Sequence, residues 1–252
     1  MSEFTGWVKS FSMPVLEPDE IQVWRILLNA QVAAELRLKE SLSAAEHLRA
    51  RRFHFAPDRR RFIIRRAVLR QLLATILEVK PQAIRLEFGA HGKPSVAGQV
   101  GADGLRFSCS HSADWALIAL TRGNELGVDL EQHRPMADTE DLTRNFFSLV
   151  EINELAGLPP ELRLAGFFDC WTRKEAFIKA IGLGLSYPLN GFSVSLSPNQ
   201  PATLLEVADD TEALKKWGLI SLNVAPNYSA ALVFEKRQTF LKYFTWNWER
   251  SS

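Results

Sequence analysis

The sequence contains few cysteines and no long apolar run. Cys109 and Cys170 are its two cysteines, and their separation fits neither a zinc-binding pattern nor a disulfide framework, so we expect two reduced, buried thiols. The longest apolar run, Trp115 to Leu120, is far too short to span a bilayer. The first 14 residues contain no continuous apolar stretch of the kind found in signal peptides. We therefore expect a cytoplasmic protein that does not associate with membranes.

The sequence also lacks an excess of either charge. Thirty Lys and Arg residues against 29 Asp and Glu residues leave a formal charge of +1, so the chain as a whole is not built to bind a polyanion and any basic function must be local. Hydrophobic residues make up 46% and charged residues 23%, which excludes a disordered or collagen-like chain. A length of 252 residues allows one large domain or two modest ones.

The order of predicted elements indicates an α+β protein. Capping boxes at Ser43 to Glu46 and at Ser148 to Glu151 predict two helix starts, and Asp58 is the expected cap of a longer helix that reaches Val79. Another helix is expected over 161–181, ended by Gly182. Strands are expected at 21–27, 84–88, 105–109, 115–121, 126–130, 192–196, 219–224, 230–235 and 240–248.

The predicted elements repeat in two similar α+β halves. The break between them is expected near 121–126, so that residues 1–122 form one half and residues 123–252 the other.

An arginine-rich segment lies in the first half. Between residues 49 and 70 the single acid is Asp58. The planar fork of Arg suits phosphate, because it donates two hydrogen bonds at once. A solvated helix face, a nucleic-acid surface and a site for a small phosphate ligand all fit the pattern, the first of them best. The arginines of this segment are Arg49, Arg51, Arg52, Arg59, Arg60, Arg61, Arg65, Arg66 and Arg70.

Two short motifs follow in the first half. Gly92-Lys93-Pro94 predicts a turn that presents one ammonium group, but it lacks the pattern of a Walker loop. Ser110-His111-Ser112 ends a predicted strand, where His111 could bind phosphate, act as an acid or base, or be satisfied by local hydrogen bonds. Ser110 and His111 point to opposite faces of a strand, and no Gly-x-Ser-x-Gly occurs, so a serine hydrolase is not indicated.

Acidic residues mark the second half. Asp129 and Glu131 are two apart on a predicted strand, so both carboxylates project from one face. Such a pair suits Mg²⁺ with phosphate oxygens, or else forms an exposed acidic face. Trp171, Glu175 and Lys179 share one face of a predicted helix, and the tryptophan indicates that this face is at least partly covered.

The ordered set of motifs resembles the 4′-phosphopantetheinyl transferases of the larger, surfactin-synthetase-activating type. The resemblance covers about Arg49 to Val194. It rests on Gly92-Lys93-Pro94, Phe107-Ser-Cys-Ser110-His111-Ser112, Gly127-Val-Asp129-Leu-Glu131, Phe146-Phe147-Ser-Leu-Val-Glu151, Trp171-Thr-Arg-Lys174-Glu175-Ala-Phe-Ile-Lys179 and Gly182-Leu-Gly184-Leu-Ser186.

The resemblance implies a specific reaction and architecture. These enzymes are monomers of two similar halves, with coenzyme A and Mg²⁺ in the cleft between them. They transfer the phosphopantetheine arm to a serine of an apo acyl or peptidyl carrier protein and release adenosine 3′,5′-bisphosphate. Neither nucleic acid nor a membrane is an expected partner.

The resemblance also assigns roles to residues. Asp129, Glu131 and Glu175 would hold Mg²⁺, and Lys179 would pair with the pyrophosphate. Either Glu151 or Glu175 would act as the base. The phosphates of coenzyme A would be held by Lys93, Ser110 and His111, with His111 on the 3′-phosphate, and the nucleotide by Arg49, Arg52 and Arg61.

Two alternatives stay open at this point. A nucleic-acid-binding module would use the arginine-rich helix at 49–70, although no aromatic stacking motif accompanies it. A catalytically inactive relative would bind carrier proteins without modifying them.

Overall fold

The structure is a computed structural model that describes residues 6–10, 14–29, 32–196, 201–208, 210–237 and 239–247. The helices are α1 Val32–Lys39, α2 Ala44–Arg51, α3 Ala56–Leu77, α4 Thr139–Phe146, α5 Leu149–Gly157, α6 Pro160–Ile181 and α7 Ala213–Lys216. The strands are β1 Val8–Ser10, β2 Glu20–Leu27, β3 Leu86–Phe88, β4 Pro94–Val96, β5 Leu105–Ser112, β6 Trp115–Arg122, β7 Leu126–Gln132, β8 Phe192–Val194, β9 Leu204–Val207, β10 Trp217–Ser221, β11 Tyr228–Glu235 and β12 Phe240–Trp246. The mixed α/β class predicted from the sequence is confirmed.

The first half is built on a five-stranded sheet with the order β1-β12-β2-β6-β5. Strand β6 runs antiparallel to both β2 and β5, whereas β12 runs parallel to β2. Phe62, Val68 and Leu72 of α3 share one hydrophobic core with Trp24 of β2 and Ile118 of β6. The 22-residue helix α3 is thereby fixed to one face of this sheet.

The second half is built on a three-stranded antiparallel sheet with the order β10-β11-β7. The 22-residue helix α6 packs on it, and Phe177 shares a core with Val233 of β11. Gly127 permits an unusually close approach, because a Cβ there would overlap the backbone of Ala176 and Ala180. The glycine therefore brings α6 directly over β7.

The two sheets meet along β5 and β7, which are joined through side chains rather than by a backbone ladder. The hydroxyl of Ser108 accepts a hydrogen bond from the Val128 amide at 3.1 Å, and Ser112 accepts one from the Gln132 amide at 3.1 Å. We call this line of contact the seam. The ends of β5 and β7 at the seam carry Ser110, His111, Asp129 and Glu131, which were predicted from the sequence to be site residues.

Local signals in the sequence predicted several boundaries well. Both capping boxes are present, with Ser43 and Ser148 as N-caps, and Gly182 ends α6 with φ of 75°. The expected cap at Asp58 is wrong: α3 begins at Ala56 after Phe55, and Asp58 lies in its first turn. The reason is that Pro57 is already favourable in the first turn of a helix, so the helix begins before the aspartate.

Some elements were not anticipated from the sequence. They are α1, α4, α7, β1, β4 and β9. Strand β12 belongs to the sheet of the first half, although it comes from the end of the chain. The division of the chain at residue 122 stays a prediction. Across the described ranges, no helix is long and apolar enough to cross a membrane.

Candidate active site

A cavity of about 590 Å³ opens at the seam between the two halves. Helix α3 and strand β5 form one side, and β7 and α6 form the other. Its polar lining includes Arg49, Arg65, Arg66, Ser110, His111, Asp129, Glu131, Glu175 and Lys179. The acids of the lining come from β7 and α6, together with Lys179, and the other cations come from α2, α3 and β5. We call these two groups the acidic wall (Asp129, Glu131, Glu175 and Lys179) and the basic wall (Arg49, Arg65, Arg66 and His111).

The acidic wall is assembled by β7 and α6. Alternation along β7 directs Asp129 and Glu131 to one face, while Val128 and Leu130 enter the core between the sheets. Lys179 of α6 lies 2.5 Å from Asp129 Oδ1.

Strand β5 completes the acidic wall from the first half. The Ser110 hydroxyl donates to Asp129 at 2.7 Å, and the Ser112 hydroxyl donates to Glu131 at 2.7 Å. Both halves therefore fix the two carboxylates.

Burial and mutual repulsion raise the pKa values of the acids. The pKa of Glu175 rises to about 7, because burial disfavours its charged form and Asp129 and Glu131 repel it, although Lys179 opposes the change. The pKa of Glu131 is raised by burial and by Asp129. Burial disfavours the ammonium of Lys179, but Asp129 and Glu175 outweigh this and raise its pKa. A single lysine therefore does not neutralise this group of acids.

The acidic wall has the chemistry of a site for a hard cation. Asp129 Oδ2 is buried and has no hydrogen-bond partner in the described part of the chain. An unsatisfied carboxylate oxygen beside two further acids fits Mg²⁺, which prefers oxygen ligands. Among the described residues, no three His, Cys, Asp or Glu side chains are already arranged closely enough to hold a metal ion. The oxygen donors present fit the ion in their chemistry, but the carboxylates do not converge on one point.

The basic wall is held by α2, α3 and β5. The guanidinium groups of Arg49 and Arg65 lie 5.4 and 5.3 Å from the centre of the Phe62 ring. Burial and the nearby Arg66 lower the pKa of Arg65 to about 10. Burial and Arg65 also lower the pKa of His111. This wall therefore has a surplus of positive charge.

Seven of the predicted site residues line the same cavity, although they lie far apart in the sequence. They are Arg49, Ser110, His111, Asp129, Glu131, Glu175 and Lys179. Their predicted roles remain predictions.

Three predicted nucleotide contacts lie elsewhere. Arg52 is exposed and lines a neighbouring surface depression. Arg61 pairs with Asp114 at 2.8 Å and lines a smaller cavity of about 270 Å³, which His111 also lines. The Lys93 ammonium donates to Glu125 at 2.7 Å and to the carbonyl of Ala180 at 2.9 Å. Its neighbours Gly92 and Pro94 line the main cavity, so the turn itself reaches the site.

Glu151 is not brought to the cavity. It is fully buried, and Lys174 donates to both of its oxygens at 2.7 Å. The amides of Ser148 and Val194 donate to it at 2.7 and 2.8 Å. This carboxylate has a complete set of partners inside the second half.

The sequence analysis overlooked several residues of the site. Arg65 and Arg66 were counted in the arginine-rich segment but were not singled out. Ser108 and Ser112, which join the seam, were not recognised either. The alternation of Ser108, Ser110 and Ser112 was the available signal, since it places three hydroxyls on one face of a strand.

The arginine-rich segment is not one exposed basic face. Arg66 pairs with Glu46 at 3.2 Å, and Arg70 pairs with the same carboxylate. Arg49 and Arg65 face the cavity. Four of the nine arginines are thus paired with Glu46 or face the cavity, whereas Arg51, Arg52 and Arg59 are exposed.

Comparisons with known proteins agree with the motifs. Residues 125–233 match the profile of the 4′-phosphopantetheinyl transferase superfamily, and residues 31–122 match that of the 4′-phosphopantetheinyl transferase N-terminal region. The 4′-phosphopantetheinyl transferase psf-1 of Bacillus pumilus is 34% identical over 67% of this chain and 70% of its own. The structure also aligns with holo-[acyl-carrier-protein] synthase of Thermotoga maritima at a TM-score of 0.36 and 21% identity, over 45% of this chain and 64% of that one.

A relative from a cyanobacterium matches over a longer span. The 4′-phosphopantetheinyl transferase HetI of Nostoc sp. (strain PCC 7120) is 35% identical over 90% of this chain and 92% of its own. The Sfp enzyme of Bacillus subtilis (strain 168) is 29% identical over 64% of this chain and 69% of its own. The resemblance found in the motifs is confirmed: the chain belongs to the 4′-phosphopantetheinyl transferases, and it is an enzyme of the type that acts on carrier proteins.

Proposed function

We propose that the protein transfers the 4′-phosphopantetheine arm of coenzyme A to a serine hydroxyl of an apo acyl or peptidyl carrier protein. The serine oxygen forms a new bond to the phosphorus that carries the pantetheine arm, and the bond from that phosphorus to the bridging oxygen of the pyrophosphate breaks. Adenosine 3′,5′-bisphosphate leaves. The observation that carries the proposal is a single cavity lined by both the acidic wall and the basic wall.

Asp129, Glu131 and Glu175 are the residues that would hold Mg²⁺. When bound there, the ion would supply charge neutralisation for the pyrophosphate. The unpartnered Oδ2 of Asp129 and the raised pKa values of Glu131 and Glu175 support this assignment.

Lys179 would bind the pyrophosphate. Its ammonium lines the cavity and lies 2.5 Å from Asp129 Oδ1 and 3.3 Å from Ser110 Oγ. The raised pKa keeps it protonated at neutral pH. A fixed positive charge at this position stabilises the negative charge that develops as the leaving group departs.

We assign the base to Glu175 rather than to Glu151. A serine hydroxyl needs a positioned base, and Glu175 lines the cavity with a pKa of about 7. Glu151 is fully buried and hydrogen-bonded on both oxygens. Both walls of the cavity come from one chain, so we also propose that the enzyme works as a monomer.

A mass-shift assay tests the reaction. Incubation with coenzyme A, Mg²⁺ and an apo-carrier should add the mass of phosphopantetheine to the carrier, as measured by intact-protein mass spectrometry. Asp129→Ala should lower the rate by roughly 100-fold or more, because it removes a charged group that acts on the reacting phosphate, while the fold is retained.

The matched control for this variant is Asp103→Ala. Asp103 is exposed and lies away from the cavity, so this variant should transfer at the normal rate. Normal turnover by Asp129→Ala would refute its assignment to the metal site. Tight binding of coenzyme A without any transfer to several apo-carriers would instead indicate an inactive relative.

A further inference from the structure

We infer that Arg65 binds the terminal 3′-phosphate of coenzyme A and makes the enzyme select coenzyme A over its 3′-dephospho form. The inference rests on the proposed function, since it concerns the nucleotide end of the same substrate. It adds a residue that neither the motifs nor the family resemblance singled out.

Arg65 is distinguished from its neighbours by the absence of a counter-charge. Arg66 has Glu46 at 3.2 Å, and Arg61 has Asp114 at 2.8 Å. In the described part of the chain, Arg65 and Arg49 have no carboxylate within ion-pair distance. Arg65 is half-buried and Arg49 is exposed. A half-buried cation is costly to leave unpaired, so the guanidinium group of Arg65 is prepared for an anion from solution.

The position of Arg65 fits a bound anion. Its side chain and that of Arg49 both contact the face of Phe62, which positions them without using their N–H donors. Arg65 and His111 line both the main cavity and a smaller cavity of about 270 Å³. The free donors of Arg65 therefore lie where these two cavities share lining residues, at the basic wall.

The chemistry of the ligand follows from the separation of charges in the cavity. The acidic wall, with Lys179 and a site suited to a divalent cation, suits the pyrophosphate. The basic wall carries two arginines, Arg49 and Arg65, without a counter-charge among the described residues, which suits a more highly charged anion such as a phosphomonoester. The nucleotide end of coenzyme A carries one such group, the 3′-phosphate, whereas its 3′-dephospho form carries none.

The test compares transfer from coenzyme A with transfer from 3′-dephospho-coenzyme A. Arg65→Ala should raise the KM for coenzyme A by about tenfold or more, because charge-assisted hydrogen bonds are lost, with kcat nearly unchanged. The same variant should leave the KM for 3′-dephospho-coenzyme A within about twofold of wild type, since the partner of Arg65 is missing there. Arg65→Lys should fall between, because an ammonium cannot make the bidentate contact.

The control is Arg59→Ala, on an exposed part of the same helix, which should change neither KM. The melting temperature of Arg65→Ala without ligand should not fall, because the substitution removes repulsion with Arg66 and Arg49. Equal KM changes for both substrates, or no change for either in Arg65→Ala and Arg65→Lys, would overturn the inference. Failure of the wild-type enzyme to transfer from coenzyme A would instead refute the proposed function.

Discussion

Helix α6 carries two lysines, each paired with a carboxylate on another element, and the two pairs are chemically alike but physically different. Lys174 and Glu151 have side-chain exposures of 1% and 0%, whereas Lys179 and Asp129 have 30% and 5%. Burial lowers the pKa of Lys174, although Glu151 opposes this change. Burial also disfavours the charged form of Lys179, but Asp129 outweighs it and the pKa of Lys179 is raised. The Lys174–Glu151 pair is therefore buried away from solvent, whereas the Lys179–Asp129 pair lines the cavity.

The two pairs also differ in how completely they are hydrogen-bonded. Lys174 donates to Glu151 and to the carbonyl of Phe192, and two amides complete the carboxylate. Asp129 keeps one buried oxygen without a partner among the described residues. A completed pair stabilises the fold, and an incomplete one is available to a ligand. Satisfaction of hydrogen bonds, rather than burial of charge, distinguishes Glu151 from Asp129, the acid that we propose to bind a ligand.

The largest stability effect is expected where the completed pair is broken. Glu151→Gln leaves the Lys174 ammonium buried without a counter-charge, which should cost about 3–5 kcal/mol of unfolding free energy. Denaturant unfolding measures this value. The control Glu161→Gln alters an exposed glutamate at the start of α6, the helix that carries Lys174, and should leave the unfolding free energy nearly unchanged. A Glu151→Gln enzyme with wild-type stability and no transfer would make Glu151 catalytic and break the comparison.

A smaller, pH-dependent effect is expected at the incomplete site. The folded pKa of Glu175, about 7, lies above its ordinary value of 4.5. As the pH rises from 4.5 to about 7, Glu175 loses its proton in the unfolded chain but keeps it in the folded protein. The free energy of unfolding therefore falls, by at most roughly 3 kcal/mol above pH 7. Glu175→Gln has no such penalty and should be more stable than wild type at pH 8 but not at pH 4.

Thermal unfolding in the presence of a chelator, measured from pH 4 to pH 8, tests this effect as the difference between variant and wild type. Subtracting the wild-type curve removes the contributions of the other titrating groups to stability. One of these is His111, whose lowered pKa makes stability rise rather than fall as the pH increases. The exposed Glu206→Gln should show no such trend. A difference that is constant with pH would show that Glu175 ionises normally.

The smallest effect is expected at the seam. Ser108→Ala leaves the buried Val128 amide without its acceptor, which should cost about 1–2 kcal/mol, with transfer activity retained. Ser110→Ala, on the same face of β5, removes a donor to Asp129 and should change the transfer rate more than the stability. Parallel unfolding and transfer measurements on the two variants would sharpen the distinction. The reverse pattern would mean that Ser108, not Ser110, serves the site.

The parts predicted correctly from the sequence depend on nearby residues. A capping box joins positions three apart, so Ser43 and Ser148 were recognisable without the fold. Gly182 ends α6 because the left-handed conformation there suits glycine. The acidic pair on β7 and the face of α6 with Glu175 and Lys179 were predictable from strand and helix periodicity.

The parts that were missed depend on pairing between distant segments. Strand β12 joins β2 across most of the chain, and no periodicity specifies which strand a neighbour will be. Glu151 and Glu175 are both acids within motifs, and the partners that separate them lie on other elements. The sequence does not distinguish Arg65 from the other eight arginines of its segment. The structure does, because Asp114 and Glu46 pair with other arginines and not with Arg65.

By itself, the sequence determined the family, the mixed α/β class and the acids and lysine that face one another, because motif identity and residue spacing are local properties. The tertiary structure decided which charges remain unsatisfied. That depends on which donors and acceptors distant strands and helices bring within hydrogen-bond reach. In this protein, the unpaired oxygen of Asp129 and the unpaired guanidinium of Arg65 are the result.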